Sequence, residues 1–173
     1  LITSRRAPPL NSARTASEMP PLAPGEAVEI FRAPERAAEG LLFHAIASRS
    51  VVNEHKYCLL ARGCEVRFPI PVLWLHKNRG RVGEVVEVRK YGDRIEVIGR
   101  IDDNEVGKIA WLEITARKLA AVSGAAGPRP RVQGVINEIT YYDRWTLKEV
   151  SLCPRGACPG AVITKNWSTR GNR

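Results

Sequence analysis

Residues 82–90 read VGEVVEVRK and residues 94–101 read RIEVIGRI, with Tyr91-Gly92-Asp93 between them. Apolar and charged residues alternate in both runs, as they do in strands with one buried and one wet face. A three-residue link with glycine at its centre is of hairpin length. The pair predicts an antiparallel β-hairpin, and the rest of the fold is read outward from it.

Upstream, LLFHAIA (41–47) and YCLLARGCEVRF (57–68) are dense apolar runs of strand character. PIPVLWLH (69–76) is short, apolar and led by prolines, which suits a strand entering from an edge and ending at His76. Downstream, NEVGKIAWLEITARK (104–118) places Val106, Ile109, Ala110, Trp111 and Ile114 near helical spacing. Asn104 or Asp103 can cap its start, and Arg117 and Lys118 suit its C-terminal end, so one amphipathic helix is predicted. LAAVSGAAG (119–127) reads as a buried strand running into an open turn. VQGVINEITYY (132–142) and WTLKEVSLC (145–153) alternate again, and AVITK (161–165) makes a last strand. About six or seven strands with so little helix predict a mainly β (α+β) domain. Its expected form is a closed or nearly closed antiparallel β-barrel with flanking helices, over residues 40–165. Residues 1–39 hold six of the twelve prolines and follow no period, so they predict a proline-rich arm or linker with little regular structure. Residues 166–173 form a basic tail.

The chain has 173 residues, enough for one ordinary domain, and its 44% apolar share excludes a wholly disordered polypeptide. No apolar run approaches the roughly 18–20 residues of a membrane span. The opening LITSRRAPPLNSARTASEMPPLAPG has no continuous apolar stretch of the signal-peptide kind. A soluble intracellular protein with reduced thiols is the expectation. The net charge of +9 raises nucleic acid as a partner. The charge is spread, however, and no window resembles a zinc finger, an RNA-recognition motif or a basic zipper. An acidic protein partner explains it equally well.

Cys58 and Cys64 are separated by five residues, and Cys153 and Cys158 by four. Only the second spacing fits a zinc knuckle, so buried thiols rather than a metal site are expected. Acid–base chemistry by histidine must choose among His44, His55 and His76. His44 sits in mid-strand and reads as a satisfied core residue, and His55 reads as a loop residue. His76 stands at a strand mouth beside Gly80, where a general base would be both held and reachable. Ser123 follows an apolar strand and precedes Gly124, Ala125, Ala126 and Gly127, small residues that let a carbonyl approach the backbone amides. Ser151 shares its strand face with Glu149 and Cys153 and reads as a packed position.

Three blocks in order carry a resemblance: PVLWLHKNRGRVGEVVEVRKYGDRIEVIGRI (71–101), AAVSGA (120–125) and WTLKEVSLCPRGACPGAVI (145–163). Together they are similar to the prohead, or capsid maturation, serine proteases of tailed bacteriophages, which share a fold with the herpesvirus assemblins. The likeness covers about residues 40–165. It implies a serine endopeptidase with His76 as general base, Ser123 as nucleophile and the Gly124 and Ala125 amides as oxyanion donors. Glu149 is implied as the acid that orients the imidazole, with Asp143 and Asp93 in reserve. It implies no cofactor and no metal, and as partners the major capsid protein and the scaffold protein. Portal or head-shell contacts and self-association are further expectations, in the host cytoplasm inside the assembling prohead. GAAGPRPR after the serine and CPRGACPGA in the closing block depart from the family pattern. Two other readings use the same barrel. One is a catalytically inactive structural protein of the virus head or virion. The other is a nucleic-acid-binding barrel, for which 6% aromatic residues is thin.

Overall fold

The computed structural model describes residues 29–34 and 40–169. Its strands are β1 (Glu29–Arg32), β2 (Leu41–Arg49), β3 (Tyr57–Leu59), β4 (Cys64–Glu65), β5 (Ile70–Trp74) and β6 (Lys77–Lys90). After them come β7 (Arg94–Ile101), helix α1 (Glu105–Thr115), β8 (Ala121–Ala126), β9 (Arg131–Ile136), β10 (Ile139–Cys153) and β11 (Ile163–Ser168). A single 3-10 turn, Ala61–Gly63, separates β3 from β4, so the run 57–68 is two short strands and not one.

The hairpin that anchors the sequence reading forms between β6 and β7, in register from Gly83↔Ile101 to Lys90↔Ile95. Its ladder slips between Val85 and Glu87. The doubled valine Val85-Val86 breaks a strict alternation, and the irregularity there lets Val85 and Val88 both reach the core, as a second one against β5, between Gly83 and Arg81, does for Val82. Facing them across the sheet are Ile95 and Val97 of β7, Phe43 of β2, Ile70 and Val72 of β5, and Trp145, Leu147, Val150 and Leu152 of β10. Phe43 pairs with Gly99, whose hydrogen occupies a place where a Cβ would lie 2.2 Å from the ring.

Strand order runs β11-β2-β7-β6-β5-β10-β3, with β1 on β6 and β4, β8 and β9 on β10. This corrects the expected barrel in three ways. The described residues form eleven strands, several of them very short. The ladder is not closed: β8 meets the chain leading into β11 at the isolated bridge Ala121↔Val162, one residue before that strand begins. Finally, β10 runs parallel to β3, β4 and β5, so the sheet is mixed. Among the described residues a single α-helix flanks it, the one predicted over 104–118, where the expected form carried flanking helices.

That helix starts where it should, with Asn104 accepting from the Gly107 amide at 2.8 Å. Its phase differs from the prediction. Gly107, Ala110 and Ile114 are buried, while Val106, Ile109 and Leu112 face outward. A Cβ at position 107 would fall 2.0 Å from the Asp102 carbonyl oxygen, and that close approach turns the helix about one position from the expected face.

Two stretches whose pattern predicts strand are turns. Leu75 and His76 both have left-handed φ, 52° and 57°, and make the two-residue link between β5 and β6. Asn137 and Glu138, with φ 49° and 64°, do the same between β9 and β10, so 132–142 is a hairpin. Positive φ at both central residues matches the twist of the flanking strands. His76 therefore sits on a turn and not at a strand end.

Within the expected arm, Glu29–Arg32 pair with β6; residues 1–28 and 35–39 of that prediction lie outside the described residues. At the other end β11 continues past residue 165 to Ser168, and residues 170–173 of the expected tail again lie outside them. Among the described residues no helix is long and apolar enough to cross a membrane.

Candidate active site

β8 and β10 pair antiparallel with Ser123 opposite Ser151 and Ala125 opposite Glu149. Val122, Val150 and Leu152 point into the core, so the intervening Ser123, Glu149 and Ser151 share the other face. β5 lies on the far side of β10 with Leu73 beside Ser151, and its turn brings His76 over that face. Three separate elements thus deliver a serine, an imidazole and a carboxylate to one place.

His76 Nδ1 lies 2.9 Å from Glu149 Oε1. The carboxylate is 7% exposed as a residue, whereas the imidazole side chain is 49% exposed. Engaging Nδ1 leaves Nε2 for a reacting group. His76 and Ser123 both line a cavity of about 490 Å³, with Gly124, Ala125, Ala126, Cys153 and Ala157 beside them and Glu54, His55, Tyr57 and Arg155 around them. Among the described residues no hydrogen bond joins Ser123 to the imidazole. That bond commonly tightens only when substrate is bound.

The backbone around Ser123 is sided. Val122 N donates to Ala161 O at 3.4 Å, and Ala120 O accepts from Ile163 N at 2.9 Å, both away from β10. Alternation along an antiparallel ladder turns the Gly124 amide to that same side and the Ser123 and Ala125 amides toward β10. A side chain at 124 would meet the Ala47 carbonyl oxygen at 3.0 Å, which is why glycine suits this step of the strand.

The reserve acids lie elsewhere. Asp143 is held by Arg131 through two bonds of 2.7 and 2.8 Å on the β9–β10 ribbon, and this guanidinium keeps its carboxyl below the usual range. Asp93 pairs with Arg94 at 3.2 Å in the β6–β7 turn. Of the other histidines, His44 bonds Glu96 at 3.1 Å and also Thr164, away from the cavity. His55 stacks on Tyr57 at the cavity wall, with ring centroids 6.1 Å apart. The four cysteines are free thiols. Burial pushes Cys58 and Cys153 up to about 11 and Cys64 up to about 12, which favours the neutral thiol at neutral pH. Among the described residues no group of three or more His, Cys, Asp or Glu could hold a metal ion.

Sequence reasoning missed Glu54, Tyr57, Cys153 and Arg155 as cavity residues. Cys153 and Arg155 belong to the strand end and loop CPRGAC, whose irregular composition was the only signal that something other than core packing happens there.

No family model and no curated protein matches this chain. Among solved structures it is similar to the KSHV protease, a herpesvirus enzyme, in complex with a hexapeptide phosphonate inhibitor. The identity is 17% and the TM-score 0.50, over 72% of this chain and 64% of that one. The chain therefore has a herpesvirus-protease-like fold, and the match spans less than two thirds of the neighbour's length.

Proposed function

We propose that this protein is a serine endopeptidase of the capsid-maturation kind. The observation that supports the reading best is the 2.9 Å bond from His76 Nδ1 to the buried Glu149 carboxylate, made at the wall of the cavity that Ser123 also lines. In this reading His76 Nε2 takes the proton from Ser123 Oγ as the hydroxyl attacks a peptide carbonyl. Glu149 orients the ring and offsets the charge of the imidazolium. Of the two amides that the resemblance implies as oxyanion donors, Gly124, directed to the open side, keeps that role, while the Ala125 amide faces β10 opposite Glu149 and is left out of it. The same imidazolium then protonates the leaving amine, and water, deprotonated by His76, releases the acyl group from Ser123.

The resemblance supplies the substrates: scaffold, or the scaffolding arm of the major capsid protein, and the protease itself, within an assembling prohead. The pairing of surface arginines with carboxylates (Arg32, Arg89, Arg94, Arg131 and Arg144 among them) favours a protein substrate over nucleic acid. The test is co-expression with the cognate capsid and scaffold proteins, as wild type and as Ser123→Ala, read by intact-mass spectrometry. Shortened capsid or scaffold chains with wild type alone are expected. Full-length chains in both samples, with the protein kept in the particles, would replace this reading with a structural role for an inactive protease fold.

A further inference from the structure

Ser151 is fully buried, yet its hydroxyl is not idle packing. Its oxygen accepts from the backbone N–H of His76 at 3.2 Å, and its O–H donates to Glu149 Oε1 at 3.3 Å. The same Oε1 faces His76 Nδ1 at 2.9 Å. A closed ring of bonds thus runs from the backbone of His76 through Ser151 to Glu149 and back to the imidazole of His76. The turn that carries His76 has left-handed φ at two residues with side chains, an arrangement that persists only where the surroundings fix it. Here it is fixed at two adjacent points on β10: Leu75 N donates to Leu152 O at 3.1 Å, and His76 N donates to the Ser151 hydroxyl.

We infer that Ser151 is a positioning residue for the candidate protease site, setting both the orientation of the Glu149 carboxylate and the place of His76. The inference rests on the proposed serine–histidine–acid reading for its consequence in catalysis, but not for its geometry. Ser151 does not touch the cavity, so it neither meets substrate nor serves as a second nucleophile. Its hydroxyl saturates one lone pair of the buried acid and leaves the other side of Oε1 to the imidazole. Without it, the amide of His76 loses its acceptor and the carboxylate loses the donor that fixes its rotamer. The ring, half exposed, is then free to leave the acid.

The experiment compares the full-length wild type with Ser151→Ala, Ser151→Thr and Ser151→Val. Thr and Val are nearly isosteric, so whatever the added methyl group does to packing is common to both, and the difference between them isolates the hydroxyl. Two readouts are taken, with circular dichroism to confirm folding. The first is the rate of covalent labelling of Ser123 by a small fluorophosphonate across reagent concentrations. The second is the downfield proton resonance of His76 Nδ1–H in the resting protein, which needs no catalysis. The expected result is a maximal labelling rate lower by on the order of 10- to 100-fold in Ala and Val, as for a displaced catalytic group. The half-saturating reagent concentration stays unchanged, Thr remains within about threefold of wild type as the hydroxyl is kept, and the Nδ1–H resonance is lost in Ala and Val only. Equal labelling and equal resonances in Thr and Val would overturn the role of Ser151. If wild type is not labelled at Ser123, the protease reading fails, and the resonance alone still decides whether Ser151 holds the pair.

Discussion

Glu149 accepts from two donors at one oxygen while almost out of contact with water. A buried carboxylate so placed does two things: it fixes the imidazole tautomer, and it supplies the negative charge that a proton-bearing histidine needs. Glu149→Gln separates them, because the amide keeps an acceptor oxygen and loses the charge. Peptide hydrolysis by this variant should fall by on the order of 10³-fold with little change in KM, measured on a scaffold-derived peptide. A variant as active as wild type would remove Glu149 from the mechanism. Gly99 makes the opposite kind of residue-scale demand. It carries no chemistry, but a methyl group there would meet the Phe43 ring at 2.2 Å in a fully packed core. Gly99→Ala should lower the unfolding free energy by about 1–3 kcal/mol in urea titrations, the usual range for overpacking.

At the scale of elements, turns decide what was legible in the sequence. The β6–β7 hairpin was readable because alternation on both sides brackets a link containing Gly92. The β5–β6 and β9–β10 turns were not, because Leu75-His76 and Asn137-Glu138 put full side chains at left-handed φ where glycine is expected. The sequence pattern consequently puts His76 on a strand, although the order of the three sequence blocks already sets it near Ser123, with which it shares a cavity. The 2.9 Å bond between His76 and Glu149 joins two residues that the resemblance names, whereas their spacing in the sequence gives no sign of it. The cavity walls at Glu54 and Arg155 were not legible, since loops far apart in sequence meet there only after folding. The missed turn gives a prediction. Glu138→Gly completes an Asn-Gly pair of the type such hairpins favour and gives up only the exposed ion pair to Lys56 at 3.2 Å. It should stabilise the protein by about 0.5–1 kcal/mol, seen as a higher thermal midpoint with unchanged labelling of Ser123. Helix α1 gives the converse case. Asn104→Ala removes the side chain that caps Gly107 N and should cost about 1 kcal/mol in the same measurement.

The whole molecule carries its charge in a way that sets its response to acid. The wet face of β2, β7 and β6 holds carboxylates that are nearly buried, each clamped by bases from neighbouring positions. Glu87 lies 2.9 Å from Arg32 and 2.6 Å from Arg89, so β1 is tied to β6 through this group. Glu96 lies 2.6 Å from Arg94 and 3.1 Å from His44 and links β7 to β2. Burial by itself would raise both carboxyls, but hydrogen bonds and charge from the flanking arginines outweigh it and hold them below the ordinary value of 4.5. A carboxyl depressed in the folded state binds its proton more readily once the chain unfolds. Its contribution to stability is therefore complete above the unfolded value and is lost as pH falls through the folded one. Unfolding free energy from urea titrations should be level near pH 7 and decline progressively as pH falls through about 4.5, where the unfolded carboxyls are half protonated. The double variant Glu87→Gln, Glu96→Gln removes both titrations and keeps the side-chain shapes. Its stability should start lower at pH 7 and fall less steeply into acid, so that the two curves converge. An unchanged slope in the double variant would assign the acid sensitivity to other groups and leave these clamps with a role in joining strands alone.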